Sequence, residues 1–265
     1  MARAWVVAVV AALVVSMVGC GTPGSGKEKA GTVEIRVPVA EKTPVAPTPK
    51  AVVKPKTPAV PKVAVPKVAV PKALTVALKR GVGIDISKLF NNDGFSSEAN
   101  RKDANLDKWG QSFPAEELPK AGKFCKKELP ACFVFPTKDA GKKNNIACAG
   151  QVIPLAGKAK AMHLLVTATD GNKQEKLTIA YADAAVQKDL KVTDWCAAAA
   201  FGEKTAVQCA HRVAADAGGA GTLSKEAKKT NIWCVTIALD AKRALKSVKL
   251  PYNAEIHVFA VTLTK

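Results

Sequence analysis

The sequence predicts an all-β fold: an antiparallel β-sandwich of jelly-roll type, preceded by a disordered Pro/Lys-rich linker. Three observations carry this prediction. Short apolar or alternating runs recur through the second half of the chain, polar turn signals separate them, and no repeated βαβ unit appears. The 265 residues divide into a leader at 1–19, a linker at 20–73 and a folded body at 74–265, which is long enough for one domain with its own core.

The strand signals follow in order. Residues 75–79 alternate, and Cys132-Phe133-Val134-Phe135-Pro136 is an apolar run stopped by proline. The run at 163–168 is almost wholly apolar, 176–181 alternates, 232–239 reads as a buried strand and 255–263 alternates again. Turn chemistry stands between them at Thr169-Asp170-Gly171-Asn172, Gly202-Glu203, Gly218-Gly219-Ala220-Gly221 and Leu250-Pro251-Tyr252-Asn253. Four alanines at 197–200, between Cys196 and Phe201-Gly202, are too few for a helix and read as a loop or single turn.

Before the body, residues 21–73 hold no aromatic side chain and no periodic pattern, so they cannot build a core. The repeat Pro61-Lys62-Val63-Ala64-Val65, Pro66-Lys67-Val68-Ala69-Val70 fixes φ at intervals and favours extended polyproline II. At about 3.1 Å per residue such a stalk reaches on the order of 150 Å when fully extended. It is read either as an envelope-associating spacer or as a solvated linker.

The leader has a basic residue, Arg3, then an apolar run over 4–18, long for a signal peptide and short for a membrane span. It ends in Met17-Val18-Gly19-Cys20-Gly21, which resembles the lipobox of bacterial lipoproteins. The resemblance implies export, removal of 1–19 and lipidation of Cys20; ordinary secretion with an incidental cysteine is the alternative. Each buried methylene of an acyl chain contributes about 0.8 kcal/mol, so several chains anchor a protein stably to a membrane. Gly21 is not the aspartate that many inner-membrane lipoproteins carry, which favours the outer membrane, with the domain in the periplasm or outside the cell.

The net charge of +18 arises mostly from lysine, and aromatic residues make up only 5%. The charge is spread along the chain with no arginine patch interleaved with aromatics, and an exported, anchored protein does not meet nucleic acid. Nucleic acid is therefore not an expected partner; an anionic envelope polymer or lipid headgroups suit the charge better. Once Cys20 is assigned to the lipid, six cysteines remain: Cys125, Cys132, Cys148, Cys196, Cys209 and Cys234. In an exported chain they predict up to three disulfides, with fifteen connectivities open and no zinc-type spacing. Short loops favour Cys125 with Cys132 and Cys196 with Cys209, leaving Cys148 with Cys234.

Four stretches, Phe90-Asn91-Asn92-Asp93-Gly94-Phe95, Phe113-Pro114-Ala115-Glu116-Glu117-Leu118-Pro119, Gly150-Gln151-Val152-Ile153-Pro154-Leu155 and Asp194-Trp195-Cys196, resemble the galactose-binding-like β-sandwich modules of bacterial exported proteins and glycoside hydrolases. The ending Ser247-Val248-Lys249-Leu250-Pro251 and the run at 256–263 extend the likeness over about residues 82–265. It implies a non-catalytic, glycan-binding or accessory role.

Two kinds of site are expected in the body. The segment 91–110 is dense in oxygen ligands, and Asn91, Asn92, Asp93, Asp103 and Asp107 suit a hard cation such as calcium; the competing reading is turn chemistry in which these side chains satisfy nearby backbone. Sugar recognition pairs a flat aromatic face with carboxylates or amides, which points to Trp109 with Asp107 and Gln111, and to Tyr252 as a second exposed aromatic. Trp195 and Trp233, next to cysteines, are expected in the core, packing on disulfides. No catalytic motif appears: the histidines are His163 and His257 in strand runs and His211 in a loop, and adjacent Glu116 and Glu117 would point to opposite faces of a strand. The expected function is a non-catalytic, lipid-anchored envelope protein that holds glycan or another envelope polymer. The alternative is a structural or protein-interaction lipoprotein.

Overall fold

A computed structural model describes residues 74–102, 104–215 and 223–265. The leader, Cys20, the linker, Asp103 and the glycine-rich turn at 218–221 lie outside the described residues.

Among the described residues the chain forms strands β1 (Thr75–Leu78), β2 (Gly81–Ile84), β3 (Phe95–Ser96), β4 (Phe113–Pro114), β5 (Gly122–Phe124) and β6 (Phe133–Phe135). These are followed by β7 (Ile146–Ala149), β8 (Val152–Pro154), β9 (Ala161–Ala168), β10 (Lys173–Tyr181), β11 (Ala185–Val192) and β12 (Lys204–Cys209). The last five are β13 (Arg212–Ala215), β14 (Leu223–Glu226), β15 (Thr230–Ala238), β16 (Leu245–Lys249) and β17 (Tyr252–Thr264). Two antiparallel sheets make the sandwich: a seven-stranded one in the order β1-β2-β17-β9-β15-β12, with β7 also on β17, and a four-stranded one in the order β11-β10-β16-β8.

The predicted strands are all present. The turn at 169–172 joins β9 to β10, but those strands belong to different sheets, so Asp170 (φ 54°) and Gly171 (φ 92°) carry the chain from one layer to the other. The side chains of Ile153, Leu164, Val166, Leu177, Ile179, Trp233, Val248, Val258 and Val261 fill the space between the sheets. A second core lies on the opposite face of the large sheet, where Phe95, Leu106, Phe113, Leu129, Phe133 and Phe135 cover Leu165, Ile232 and Phe259. Strands β9, β15 and β17 are therefore buried on both faces, which is why they read as nearly unbroken apolar runs.

One irregularity sets the second core. Val258 pairs with Val166 and Ala260 with Leu165, so Phe259 is an extra residue in a β-bulge against β9. Strict alternation through 255–263 would put Phe259 and Ala260 on opposite faces. The bulge instead turns both into the second core and returns Val261 to the first.

Cys125 and Cys132 form the disulfide expected from the short spacing. Arg80 donates to the carbonyls of Lys126 and Lys127, and Cys132 N–H donates to the Arg80 carbonyl at 3.0 Å, so the looped segment docks on the turn between β1 and β2. The other two expected bonds are corrected by the topology. Cys148 sits in the first core and Cys234 in the second, with the large sheet between them; Cys209 pairs in register with Thr230, and Cys196 lies 3.7 Å from the Arg212 guanidinium. All four are thiols. Burial pushes the Cys196 thiol up to about 11 and those of Cys209 and Cys234 up to about 12, so they stay protonated. Replacing Cys125 and Cys132 together by serine is expected to cost about 2 kcal/mol of stability through the freed loop entropy, read from denaturant midpoints. An unchanged midpoint would show that the docked Arg80 contacts alone hold the loop.

Candidate functional site

Trp109 is 62% exposed, as its polar neighbours predict. Its indole N–H donates to Asp170 Oδ1 at 3.1 Å, while Lys108 Nζ lies 2.9 Å from Asp170 Oδ2 and 5.2 Å from the indole centroid. Lys108 and the indole N–H hold the Asp170 carboxyl below its ordinary range. The aromatic plate is thus fastened to the turn that links the two sheets.

Asp107 and Gln111, expected beside the plate, both hydrogen-bond within the chain. Asp107 is buried, and its Oδ1 accepts the backbone N–H groups of Trp109 at 2.9 Å and Gln111 at 3.0 Å, closing the turn that presents Trp109. Burial pushes its carboxyl up. Gln111 Oε1 accepts from Arg212 Nη1 at 2.6 Å, and Arg212 also pairs with Glu226 at 2.7 Å. Asp107 Oδ1 and Gln111 Oε1 thus serve to position the turn and Arg212.

The oxygen-rich segment shows the same economy. Asn91 bonds both ways with Ala147, donating at 2.9 Å and accepting at 2.8 Å, and so mimics a strand neighbour of β7. Asn92 donates to the Asn105 carbonyl at 2.8 Å and accepts from Asn145 Nδ2 at 3.0 Å. Asp93 Oδ1 accepts from Phe95 N–H and from Asn144. The donors are backbone and amide groups, which is the turn-and-network alternative to a calcium shell; among the described residues no three His, Cys, Asp or Glu side chains cluster as metal ligands.

Among the described residues Tyr252 is the other exposed aromatic, 75% accessible at the start of β17. Its ring lies against Gly150, where an added Cβ would approach Tyr252 Cζ to 2.2 Å, and Lys249 Nζ stands 5.0 Å from its centroid. The ring lines an open groove of about 680 Å³ on the outer face of the four-stranded sheet. Register assembles the rest: Lys176 stands opposite Asp189, Gln174 opposite Lys191, and Thr178 opposite Lys249. Lys176 and Asp189 pair at 2.6 Å. The groove therefore combines an aromatic face, three ammonium groups, the carboxylates of Glu175 and Asp189 and an amide, a set able to stack on sugar C–H faces and to meet hydroxyl or anionic groups.

Trp195 and Trp233 are both 2% exposed, as expected for core residues, but no disulfide lies beside either; Trp233 Nε1 donates to the Thr193 carbonyl at 2.9 Å. Glu116 and Glu117 belong to a 3₁₀ turn (Ala115–Glu117), not to a strand. His211 Nδ1 lies 2.6 Å from Glu117 Oε1, and Glu98, 4.0 Å from His211 Nε2, pairs with Lys225 at 2.6 Å. This surface network escaped the sequence reading because its members come from four separated segments.

The fold and surface define a two-sheet antiparallel β-sandwich domain with a polar, lysine-bearing outer face. Residues 82–265 match the model of the AziU2-like beta-sandwich domain, and the chain belongs to that family. No curated protein matches it.

Proposed function

We propose that this is a lipid-anchored, non-catalytic envelope protein whose sandwich holds glycan or another envelope polymer along the groove beside Tyr252. The observation that carries the reading is the company kept by that ring: an exposed aromatic with Lys176, Lys191, Lys249, Gln174, Glu175 and Asp189 around one open groove. Support for the anchor comes from Met17-Val18-Gly19-Cys20, which resembles a lipobox, and the lysine-rich segment after it suits an anionic wall. The galactose-binding-like resemblance favours the same non-catalytic role, with export to the outer membrane as the address.

The test is retention of the full chain on purified cell wall and on insoluble polysaccharides. Tyr252→Ala is expected to lower retention about tenfold with no change in melting temperature, the loss of one stacked contact. Trp109→Ala reports whether the second plate shares the ligand. Retention that disappears at about 0.5 M salt assigns the interaction to the lysines, since exposed charges are screened there; retention that survives salt and yields to free sugar assigns it to the groove as a specific site. Undiminished retention of Tyr252→Ala would remove the groove from the proposal.

A further inference from the structure

An open slot of about 700 Å³ lies where β17 ends and β9 begins, and it shares no lining residue with the groove beside Tyr252. Its shape follows from the unequal sheets. β1 and β2 carry the large sheet beyond β17, and the segment 156–160 crosses from one layer to the other. Leu245 N–H of β16 donates to the Gly157 carbonyl, and Lys160 N–H donates to the Thr264 carbonyl of β17, each at 2.8 Å. The slot is bounded by this crossing and by the inner face of the large sheet.

Register makes its wall apolar. Val82 stands opposite Leu263 and Ile84 opposite Val261, and all four take the inward side at the strand period of two. Ala156, Ala159 and Ala241 complete the apolar lining, and side chains of one carbon leave the space unfilled. A ligand can reach this wall, because Val82 is half-buried and Leu263 keeps 6% of its surface.

The mouth is cationic. Lys265 follows Leu263 by two positions and Lys160 precedes Met162 by two, which brings both to the inward side, with Lys158 close by in sequence. All three lysines are exposed, and none has an ion-pair partner among the described residues. No Asp or Glu lines the slot. Like charges gathered beside an apolar wall repel one another and gain from an anion. A free phosphate or a sugar acid would use the lysines and leave the wall wet; an apolar peptide would use the wall and leave the lysines unpaired. The proline–lysine repeat of this chain would add more positive charge. An acyl chain that ends in a carboxylate uses both halves of the site.

We infer that the slot binds a single-chain anionic amphiphile, a fatty carboxylate, with its chain along Val82, Ile84 and Leu263 and its head group at Lys158, Lys160 and Lys265. The volume lies within the range of small-molecule sites.

The experiment is a titration of the full chain with sodium dodecanoate below its micellar concentration, followed by proton–carbon correlation of the Val82, Ile84 and Leu263 methyl groups. These are expected to move saturably with one midpoint. From octanoate through decanoate to dodecanoate, affinity is expected to rise about twofold per methylene, the part of a full transfer that an open slot buries. Dodecyltrimethylammonium, with the same chain and a positive head, is expected to bind about tenfold more weakly than dodecanoate. Lys158→Glu combined with Lys160→Glu is expected to weaken dodecanoate binding about tenfold with no change in melting temperature, since both positions are exposed. Tyr252→Ala is expected to leave it unchanged, so failure of this site is distinguishable from failure of the groove. Methyl shifts that do not saturate, equal binding of the positively charged amphiphile, or undiminished binding in the double lysine variant would each overturn the inference.

Discussion

Phe259→Ala is expected to lower the unfolding free energy by about 3–5 kcal/mol, the range found when a fully buried aromatic is truncated and its cavity only partly collapses. The side chain has no exposed surface. It stacks on Phe95 at 5.4 Å between centroids and meets Phe113 edge-on at 6.1 Å; Phe95 in turn stacks on Phe135 at 5.9 Å, and Phe113 packs edge-on against Trp195 at 5.0 Å. Removing the ring thus strips the bulge of its purpose and leaves the aromatic cover without its central member. Denaturant titration measures the loss, and near-ultraviolet circular dichroism reads the altered packing of Trp195. A change below about 1 kcal/mol would show that the aromatic cover adds little to the cooperative unit.

Acidification is expected to destabilise the protein at a higher pH than its carboxylates alone would. His257 is held neutral by burial, with a pKa of about 3, and burial lowers that of His163 as well. In the unfolded chain both return to about 6.5. Below that value the unfolded state binds protons that the folded state refuses, so stability falls with pH from about 6.5 toward 3 and is flat above 6.5. From His257 alone the loss reaches about 2 kcal/mol at pH 5, at 1.36 kcal/mol per pH unit. The carboxylates act lower on the scale: Asp170, held down by Lys108, loses its contribution there, whereas Asp107, raised by burial, acts in the opposite sense. Denaturant midpoints at pH 7.5 and pH 5 check this window, and equal stability at the two would show that the buried rings accept protons in place.

The strands legible in the sequence are those whose burial is uniform. β9, β15 and β17 are covered on both faces and read as apolar runs, and the inner half of β10 alternates because it has one wet face. β11 is not legible, because its inward face runs Val186, Lys188, Leu190, Val192, and the lysine breaks the apolar alternation. The second core was illegible for a different reason: it depends on a one-residue bulge, and no composition signal marks where a ladder gains a residue. The same limit applied to the cysteines, since spacing identifies a tight loop such as Cys125 to Cys132 but not which side of a sheet a distant thiol occupies.

For the site, exposure of Trp109 and Tyr252 followed from polar and turn-forming neighbours. The roles of Asp107 and Gln111 did not, because a carboxylate or amide beside an aromatic looks the same whether it faces a ligand or ties its own backbone. Lys176, Lys191 and Lys249 were anonymous members of a lysine-rich chain until the registers of β10 with β11 and β16 brought them to one surface.

Tyr252 and His257 belong to the same strand, β17, five positions apart. Between them the ladder with β7 is interrupted: Tyr252 pairs with Ala149 and His257 with Ala147, so five positions of β17 span two of β7. The pairing with β9 begins only at Ile256. The surplus residues uncouple the exposed ring from the register of the strand's buried half. A residue gained or lost at 253–255 would shift Tyr252 along the groove without turning Val258 or Val261 out of the core, so the outer face of this fold can change its spacing while its interior stays fixed.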